Sequence, residues 1–183
     1  MEVSFKAQFI NRCNIQKYSK SARSFLPSEA SFIELDTNKW RDRRALRKIS
    51  KKWVHSLADN IYRSQKSDKK LRIFALTEQQ SNFEKLDAEK VLGLTQLHDS
   101  EPNVHYIDYL QTKPVYTANN PDREYKDIGR RILDNLKNIF RKDTLKLSSL
   151  YEDGIIDFYI KNNFKFEKFY LDDLIWVDKI ENQ

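Results

Sequence analysis

The sequence predicts an α/β (α+β) protein in which a mixed, mostly antiparallel central sheet is flanked by helices. Two observations predict this class. Short β-rich runs alternate with segments whose apolar residues recur at helical spacing, in the order strands, helix, strand, helix, strands. A chain of 183 residues has about the length of one such domain, so residues 1–183 are expected to form a single unit.

The N-terminal part supplies an extended segment and a basic helix. Val3 to Ile15 is predicted to be extended. Asn38 is a candidate N-cap, and apolar residues recur at helical spacing after it. The pattern predicts a long amphipathic helix, whole or broken in two, built on Trp40, Leu46, Ile49, Trp53, Leu57 and Ile61.

Three β-rich runs follow and are predicted to form neighbouring strands. They span Leu71 to Thr77, Lys90 to Leu97 and Val104 to Thr112. Turn-forming residues at 99–103 separate the second run from the third. The last two strands are therefore expected to pair as an antiparallel hairpin.

The C-terminal part returns to a helical period after polar turn residues at 119–122. A strand at Leu145 to Leu150, a helix at about Asp153 to Lys161 and extended segments at Phe164 to Tyr170 and Leu174 to Val177 are predicted beyond it. The first helix in this part presents one apolar face, made of Tyr125, Ile128, Ile132, Leu133, Leu136, Ile139 and Phe140.

Composition narrows the class of protein. With 39% hydrophobic and 33% charged residues, the chain is expected to be globular. It lacks an apolar run of about 20 residues and a leader-like N-terminus, so a cytoplasmic location and no membrane partner are expected. Cys13 is the single cysteine and cannot form an internal disulfide. His55 and His98, the latter placed at a turn, receive no role, and no metal is predicted.

The net charge of +6 is concentrated between Lys39 and Lys70. Such a stripe is either a phosphate-facing surface for nucleic acid or a solvated helix face, and the sequence leaves both open. Its cations are Arg41, Arg43, Arg44, Arg47, Lys48, Lys51, Lys52, Arg63, Lys66, Lys69 and Lys70.

The segment Arg123 to Leu133 combines a polar loop, a glycine and the start of a helix. Unpaired N–H groups at a helix N-terminus, together with its partial positive charge, can hold a phosphate. Gly129 would allow a ligand to approach the backbone closely. The segment is therefore a candidate phosphate site.

Residues 124–129, EYKDIG, resemble the acetyl-CoA loop Gln/Arg-x-x-Gly-x-Gly/Ala of the GNAT superfamily of acyl-CoA N-acyltransferases. Gly129 matches the last glycine, whereas Asp127 replaces the middle glycine and Glu124 replaces Gln or Arg. The resemblance implies that the pyrophosphate of acetyl-CoA, the acyl donor, is bound by the backbone here. Arg130 and Arg131 are expected to offset the charge of Asp127. The implied binding residues are Lys126, Asp127, Ile128, Gly129, Arg130 and Arg131.

A second segment, LKLSSLYEDGIIDFYIKNNFKF at 145–166, resembles the strand-helix-strand tail of the same family. Its Phe-Tyr-x-x-x-Asn-Phe pattern carries Asn163 where the family has glycine. Asn tolerates a positive φ better than other non-glycine residues, so the exchange is mild. The two resemblances together cover Lys90 to Tyr170 and imply a GNAT-like sheet flanked by helices.

The resemblance also implies site residues. Tyr159 would protonate the departing CoA thiolate. The run Val104 to Thr112 resembles the family's fourth strand, whose backbone at Leu110, Gln111 and Thr112 would pair with the pantetheine arm. Asp108 on that strand is the candidate general base. Tyr106 and His105 are alternatives for that base.

The sequence thus predicts an acetyl-CoA-dependent N-acetyltransferase acting on an unidentified primary amine. Alternative hypotheses are a nucleic-acid-binding protein that uses the basic stripe and a CoA-binding protein without turnover. The segment Lys113 to Asp122 is longer than usual for the family and is a candidate part of the acceptor site. Whether the chain forms a homodimer is left open.

Overall fold

A computed structural model of the chain describes residues 8–53, 71–117, 120–148, 154–167 and 173–177. The helices are α1 (Trp40–Lys52), α2 (Ile128–Ile139) and α3 (Ile155–Lys161). The strands are β1 (Gln8–Ser19), β2 (Ser24–Leu35), β3 (Leu71–Thr77), β4 (Val91–Glu101), β5 (Val104–Thr112), β6 (Tyr125–Lys126), β7 (Thr144–Ser148), β8 (Lys165–Phe166) and β9 (Asp173–Val177).

The strands form one sheet in the order β6-β1-β2-β3-β4-β5-β7-β9-β8. Every described neighbouring pair is antiparallel except β5 and β7, which run parallel. The parallel pair needs a crossover, and α2 provides it. The predicted mixed, mostly antiparallel sheet with flanking helices is confirmed.

Two apolar cores lie on opposite faces of this sheet. On one side, which we call the α2 face, Ile132, Leu133 and Leu136 pack with Phe32 and Phe74 of the central strands. The apolar stripe of an amphipathic helix is buried in this way while its polar side stays in water. The other side, called the α1 face, is covered by Leu46, Ile49 and Trp53, which pack with buried side chains of β2, β3 and β4, namely Ile33, Ile73 and Leu94.

The close contact between α2 and the sheet depends on Gly93 of β4. A Cβ atom at this position would lie 2.7 Å from Ile132 Cδ1 and 2.8 Å from Ile128 Cγ2. The missing side chain therefore lets the first turn of α2 rest directly on the strand. This contact fixes where that helix begins relative to β4 and β5.

Several predicted strands are confirmed. Leu71–Thr77 and Val104–Thr112 are strands with the predicted bounds. The predicted strand at 90–97 begins at Val91 and continues to Glu101, and it pairs with β5 as an antiparallel hairpin. The turn is therefore shorter than the sequence predicted, because Asp99 and Ser100 belong to the strand.

The N-terminal predictions need correction. The predicted extended segment Val3 to Ile15 corresponds to β1, which runs on to Ser19, and residues 1–7 lie outside the described part. Strand β2 was not predicted. Its outer half, SFLPSE, is interrupted by Pro27 and polar residues, and only ASFIEL is mostly buried. Pairing with β1 along its whole length keeps this outer half extended.

The start of α1 also differs from the prediction. Its N-cap is Lys39, which makes no side-chain capping hydrogen bond. Asn38, the predicted N-cap, instead lies in the preceding turn, where its backbone N–H donates to Asp36 Oδ1 (3.0 Å). Asp42 Oδ2 accepts from the Asp36 N–H (2.8 Å) and ties the helix to the preceding turn. Residues 54–70, including Leu57 and Ile61 of the predicted helix, lie outside the described part.

The later helices begin further along the chain than predicted. Tyr125 is in β6, not on the face of α2, because Asp127 adopts a left-handed conformation (φ 65°) that separates strand from helix. The helix predicted from about Asp153 is described from Ile155. The predicted strand at 164–170 is described only as Lys165–Phe166, and 168–170 lie outside the described residues. None of the described helices is long and apolar enough to cross a membrane.

Candidate active site

The candidate site lies where β5 and β7 separate. Their described pairing covers only Val104, His105 and Tyr106 of β5, opposite Thr144–Lys146 of β7. Strand β5 continues to Thr112, with Leu110, Gln111 and Thr112 paired to β4 on its other side. Beyond Tyr106 no pairing of β5 with β7 is described, and we call the region beside β5 at 107–112, on the side of β7, the gap. An extended ligand arm could add to β5 in this gap as an extra strand would.

The N-terminus of α2 follows closely in sequence and in space. Its first intrahelical hydrogen bond runs from the Arg131 N–H to the Asp127 carbonyl (2.9 Å). The N–H groups of Ile128, Gly129 and Arg130 precede that bond, and no side chain caps the helix. Asp127 is exposed and holds a positive φ at the position where the family pattern has glycine. These uncapped donors suit an anion.

A polar cluster at the sheet edge holds this loop in place. The Tyr125 hydroxyl donates to Glu78 at the start of the β3–β4 loop, and burial and this carboxylate raise the pKa of Tyr125 above its ordinary value. Lys17 of β1 contacts Glu78 (3.0 Å) and Glu124 (3.5 Å). The backbone pairing of β6 with β1 completes the attachment. Lys126, the remaining loop residue, places its ammonium over the ring of Phe25.

Gly129 is buried against the aromatic pair of α3. A Cβ atom here would lie 3.1 Å from the Phe158 ring and 3.6 Å from Leu110 Cδ2. Because Gly129 has no side chain, α2, α3 and β5 pack closely together at this point, beside the gap. The sequence assigned this glycine to ligand approach, and the structure shows a packing role for its Cα.

The two arginines after Gly129 differ in environment. Arg130 is largely exposed, 3.9 Å from Asp134. Arg131 lies 3.3 Å from the same carboxylate, and its Nε is buried without a hydrogen-bond partner in the described part of the chain. A buried guanidinium donor without an acceptor is costly.

Tyr159 of α3 lies on the α2 face, with only 9% of its surface exposed. Its ring lies between Phe158 (centroids 5.2 Å apart) and Phe164 (5.7 Å). Burial raises the pKa of the phenol to about 12. Asn163, which follows α3, has φ 63°, as the substitution for glycine predicted. The chain reverses there and brings Phe164 back onto the tyrosine.

Asp108 is the extra residue of a β-bulge in β5. Gln96 pairs with Tyr109 and Leu97 with Ile107, so Asp108 has no partner in the register. Its Oδ1 lies 2.8 Å from His98 Nδ1, and its Oδ2 accepts from Gln96 Nε2 (3.1 Å). Bulges commonly redirect a side chain beside an active site. Here the carboxylate points to the α1 face.

A second polar chain crosses the mouth of the gap on the same face. The Tyr106 hydroxyl of β5 is hydrogen-bonded to the Ser148 hydroxyl of β7, which donates to Asp173 of β9. The Tyr106 ring also lies beside His98, with centroids 5.4 Å apart. Polar groups therefore line this face from β4 to β9, including the cation Lys146 of β7, which lies in register with Tyr106.

His105 is held on the opposite face. Its Nδ1 lies 2.7 Å from Asp99 Oδ1 and its Nε2 lies 2.9 Å from Asp143 Oδ2, while the ring packs on Phe140. Both nitrogens are engaged with carboxylates, so neither faces an open substrate position. Its contacts link the β4–β5 hairpin to the turn between α2 and β7.

The structure places His98 beside Asp108, although the sequence analysis assigned His98 no role. His98 belongs to β4, not to a turn, and pairs with Tyr106. The signal that could have located it is its place opposite the strand carrying Asp108.

The described part of the Lys113–Asp122 insertion lies beside the segment that leads into α2. There the ring of Tyr116 packs on the ring of Tyr125, with centroids 4.8 Å apart.

The basic stripe is described only in part. In α1 the cations lie on the solvent side, where Arg41 pairs with Glu84 (3.6 Å) and Lys52 with Glu89. Trp40 is also exposed, at 58%. The cations of the stripe beyond Lys52 lie outside the described residues. Binding of nucleic acid by this surface stays a prediction.

Comparison with solved structures shows that the chain has the GNAT fold. The PaiA N-acetyltransferase from Thermoplasma acidophilum, in complex with coenzyme A, is 18% identical, with 80% of this chain and 96% of that one covered and a TM-score of 0.51. A tandem GNAT protein from the clavulanic acid biosynthesis pathway is 16% identical over 76% of this chain and 45% of that one, with a TM-score of 0.52.

The spermidine N-acetyltransferase from Vibrio cholerae, a dodecamer, is 15% identical, with 81% and 93% covered and a TM-score of 0.51. No protein-family model matches the sequence, and no curated protein sequence matches it. At these identities the likeness defines the fold. The fold expected from the two sequence motifs is confirmed.

Proposed function

We propose that this protein is an N-acetyltransferase that transfers the acetyl group of acetyl-CoA to a primary amine by direct attack. The observation that carries the proposal is the gap between β5 and β7, which ends at the uncapped N-terminus of α2. The PaiA protein of this fold binds coenzyme A, and the Vibrio cholerae protein is a spermidine N-acetyltransferase. Both support an acyl-CoA donor and an amine acceptor.

The donor side of the proposed site would hold the pantetheine arm and the pyrophosphate of acetyl-CoA. The backbone of Leu110, Gln111 and Thr112 would run beside the pantetheine arm. The first N–H groups of α2, from Ile128 to Arg130, would bind the pyrophosphate, with Arg131 as an additional cation. In this arrangement Lys126 and Asp127 contribute backbone to the loop, and the exposed Asp127 carboxylate opposes binding of the anion.

The leaving thiolate would meet Tyr159 on the α2 face. A phenol with a pKa of about 12 keeps its proton at neutral pH and is a weaker acid than a thiol. Its contribution is therefore a hydrogen bond to the sulfur as negative charge develops, in a site from which water is largely excluded. Attack by the neutral amine forms the C–N bond, the C–S bond breaks, and no covalent enzyme intermediate is needed.

The amine would approach from the α1 face. Asp108 and Asp173 place two carboxylates there, and the described cation nearest to them along β7, Lys146, is paired with Glu167 (2.8 Å). Such a surface attracts an ammonium group. Asp108 is the base inferred from the sequence, and Tyr106 lies beside it. The alternative His105 is less suited to this role, because carboxylates contact both of its nitrogens.

Calorimetric titration with acetyl-CoA tests the donor site. Asp127→Asn keeps a residue that tolerates a positive φ and removes one negative charge close to the proposed pyrophosphate. We expect tighter binding, by about 1 kcal/mol or roughly fivefold at low salt. Glu101→Gln removes an exposed carboxylate at the other end of the sheet and should leave the affinity unchanged. Absence of acetyl-CoA binding to the wild-type protein would refute the donor site.

Acetyl-CoA consumption with a panel of primary amines tests turnover. The panel contains polyamines, amino acids, aminoglycosides, peptide N-termini and lysine side chains. Acetylation of any member establishes the reaction class. Binding of acetyl-CoA without acetylation of any amine would instead favour the CoA-binding protein without turnover.

A further inference from the structure

The contact between His98 and Asp108 fixes which ring nitrogen carries hydrogen. An ionised carboxylate only accepts hydrogen bonds, so the 2.8 Å contact of Asp108 Oδ1 places the hydrogen on His98 Nδ1. The other oxygen is occupied by the Gln96 amide. The carboxylate is thus oriented by β4 and in turn orients the imidazole.

This tautomer leaves the lone pair on His98 Nε2. Within the residues that the structure describes, no hydrogen bond to Nε2 is present, and the side chain is 18% exposed. The ring is therefore anchored through one nitrogen, and the other makes no hydrogen bond within the described part of the chain. The same division of roles lets a histidine act as a base in catalytic triads.

We propose that His98 is the general base of the acetyl transfer and that Asp108 is a positioning residue that acts through it. This inference rests on the proposed function. Nε2 takes one proton from the substrate ammonium, and the free amine attacks the thioester carbon. The C–N bond forms as the C–S bond breaks. The second proton released from nitrogen balances the proton acquired by the CoA thiol.

The surroundings of His98 contain few other titratable groups. Asp108 and Tyr106 face the ring from β5, and its neighbour in the β3 register is Leu71. Tyr106 leads on to Ser148 and Asp173. Lys146 of β7 lies in register with Tyr106. His98 Nε2 is consequently the described imidazole lone pair on this face that a carboxylate holds in place through the other ring nitrogen.

The test compares kcat and its pH dependence in the wild-type protein and in His98→Asn, with the best amine from the panel. Asparagine can still donate to Asp108 but has no basic nitrogen. We expect kcat at neutral pH to fall by about 10²–10⁴-fold. The acidic limb of the profile should follow the ionisation of the amine itself in the variant. Loss of less than tenfold, with an unchanged acidic limb, would overturn the proposal.

A double-mutant cycle separates this role from one in which Asp108 is itself the base. If the pair acts as a unit, His98→Asn/Asp108→Asn should be no slower than His98→Asn alone. A severe loss in Asp108→Asn with near-normal His98→Asn would assign the base to Asp108 and refute the role of His98. His105→Asn is the matched control, since both of its nitrogens bind carboxylates. It should lower stability without moving the pH profile.

Failure of the role proposed for His98 can be distinguished from failure of the proposed acetyltransferase function. If the wild-type protein acetylates no amine, the proposed function fails before the variants are compared. If it does acetylate one, acetyl-CoA affinity should be the same in His98→Asn and in the wild type, because His98 lies on the acceptor side. Weakened donor binding in the variant would contradict that placement.

Discussion

The buried phenol of Tyr159 should make the protein sensitive to alkaline pH. Burial raises the pKa of Tyr159 to about 12, above the ordinary value of 10 that applies to the unfolded chain. The folded state then holds its proton more tightly. The resulting stability is fully present below pH 10 and is lost as the pH rises towards 12. At about pH 11 the loss amounts to about 1.4 kcal/mol, half of the full effect of about 3 kcal/mol.

The assay is urea unfolding of the wild-type protein and Tyr159→Phe, at neutral pH and at about pH 11. Phenylalanine keeps the ring contacts with Phe158 and Phe164 but has no proton to lose. The wild type should therefore lose about 1.4 kcal/mol relative to the variant over this interval. Tyr18→Phe, at a tyrosine that is 40% exposed, is the control for loss of a tyrosine hydroxyl. Parallel stability curves for Tyr159→Phe would refute the burial of this phenol.

Two further predictions concern the same region. Tyr159→Phe should lower kcat by about 10–10²-fold, as expected for a lost transition-state hydrogen bond. Its acetyl-CoA affinity should stay within about twofold of wild type. Steady-state kinetics measures kcat and calorimetry measures the affinity, and an unchanged kcat would exclude the tyrosine from the reaction. Gly93→Ala places a methyl group 2.7 Å from Ile132 and 2.8 Å from Ile128, so it should cost about 1–3 kcal/mol of unfolding free energy. An unaltered urea midpoint would contradict the close packing of α2 on β4.

The sequence predicted those strands whose residue pattern and flanking polar residues alone indicate an extended segment. β3 and β5 are β-rich runs between polar segments, and their predicted bounds agree with the structure. Strand β2 was not predicted, because half of it is exposed and contains Pro27. Only pairing with β1 holds that half extended. Tyr125 matched the helical period by coincidence. Its place in β6 follows from the left-handed Asp127 and from pairing with β1.

The candidate site was predictable where it depends on consecutive residues. Gly129, Tyr159 and Asn163 were identified from short motifs, and the structure places Gly129 and Phe158 in contact. The pairing of His98 with Asp108 was not predictable in this way, because it depends on the β4–β5 register and on a bulge. The sequence therefore proposed residues for the donor side of the candidate site and left its acceptor side incomplete.

The short parallel pairing between β5 and β7 also has a consequence for cooperativity. β7, β9 and β8 are joined to the rest of the described sheet through three residue pairs, next to the His105 contacts with Asp99 and Asp143. We therefore expect these three strands to open as a unit that breaks few backbone hydrogen bonds, and their amides should exchange with solvent before those of β3 and β4. A donor lying in the gap would touch both parts. It would join them into one cooperative unit and slow exchange at β7 and β9, far from its own phosphates.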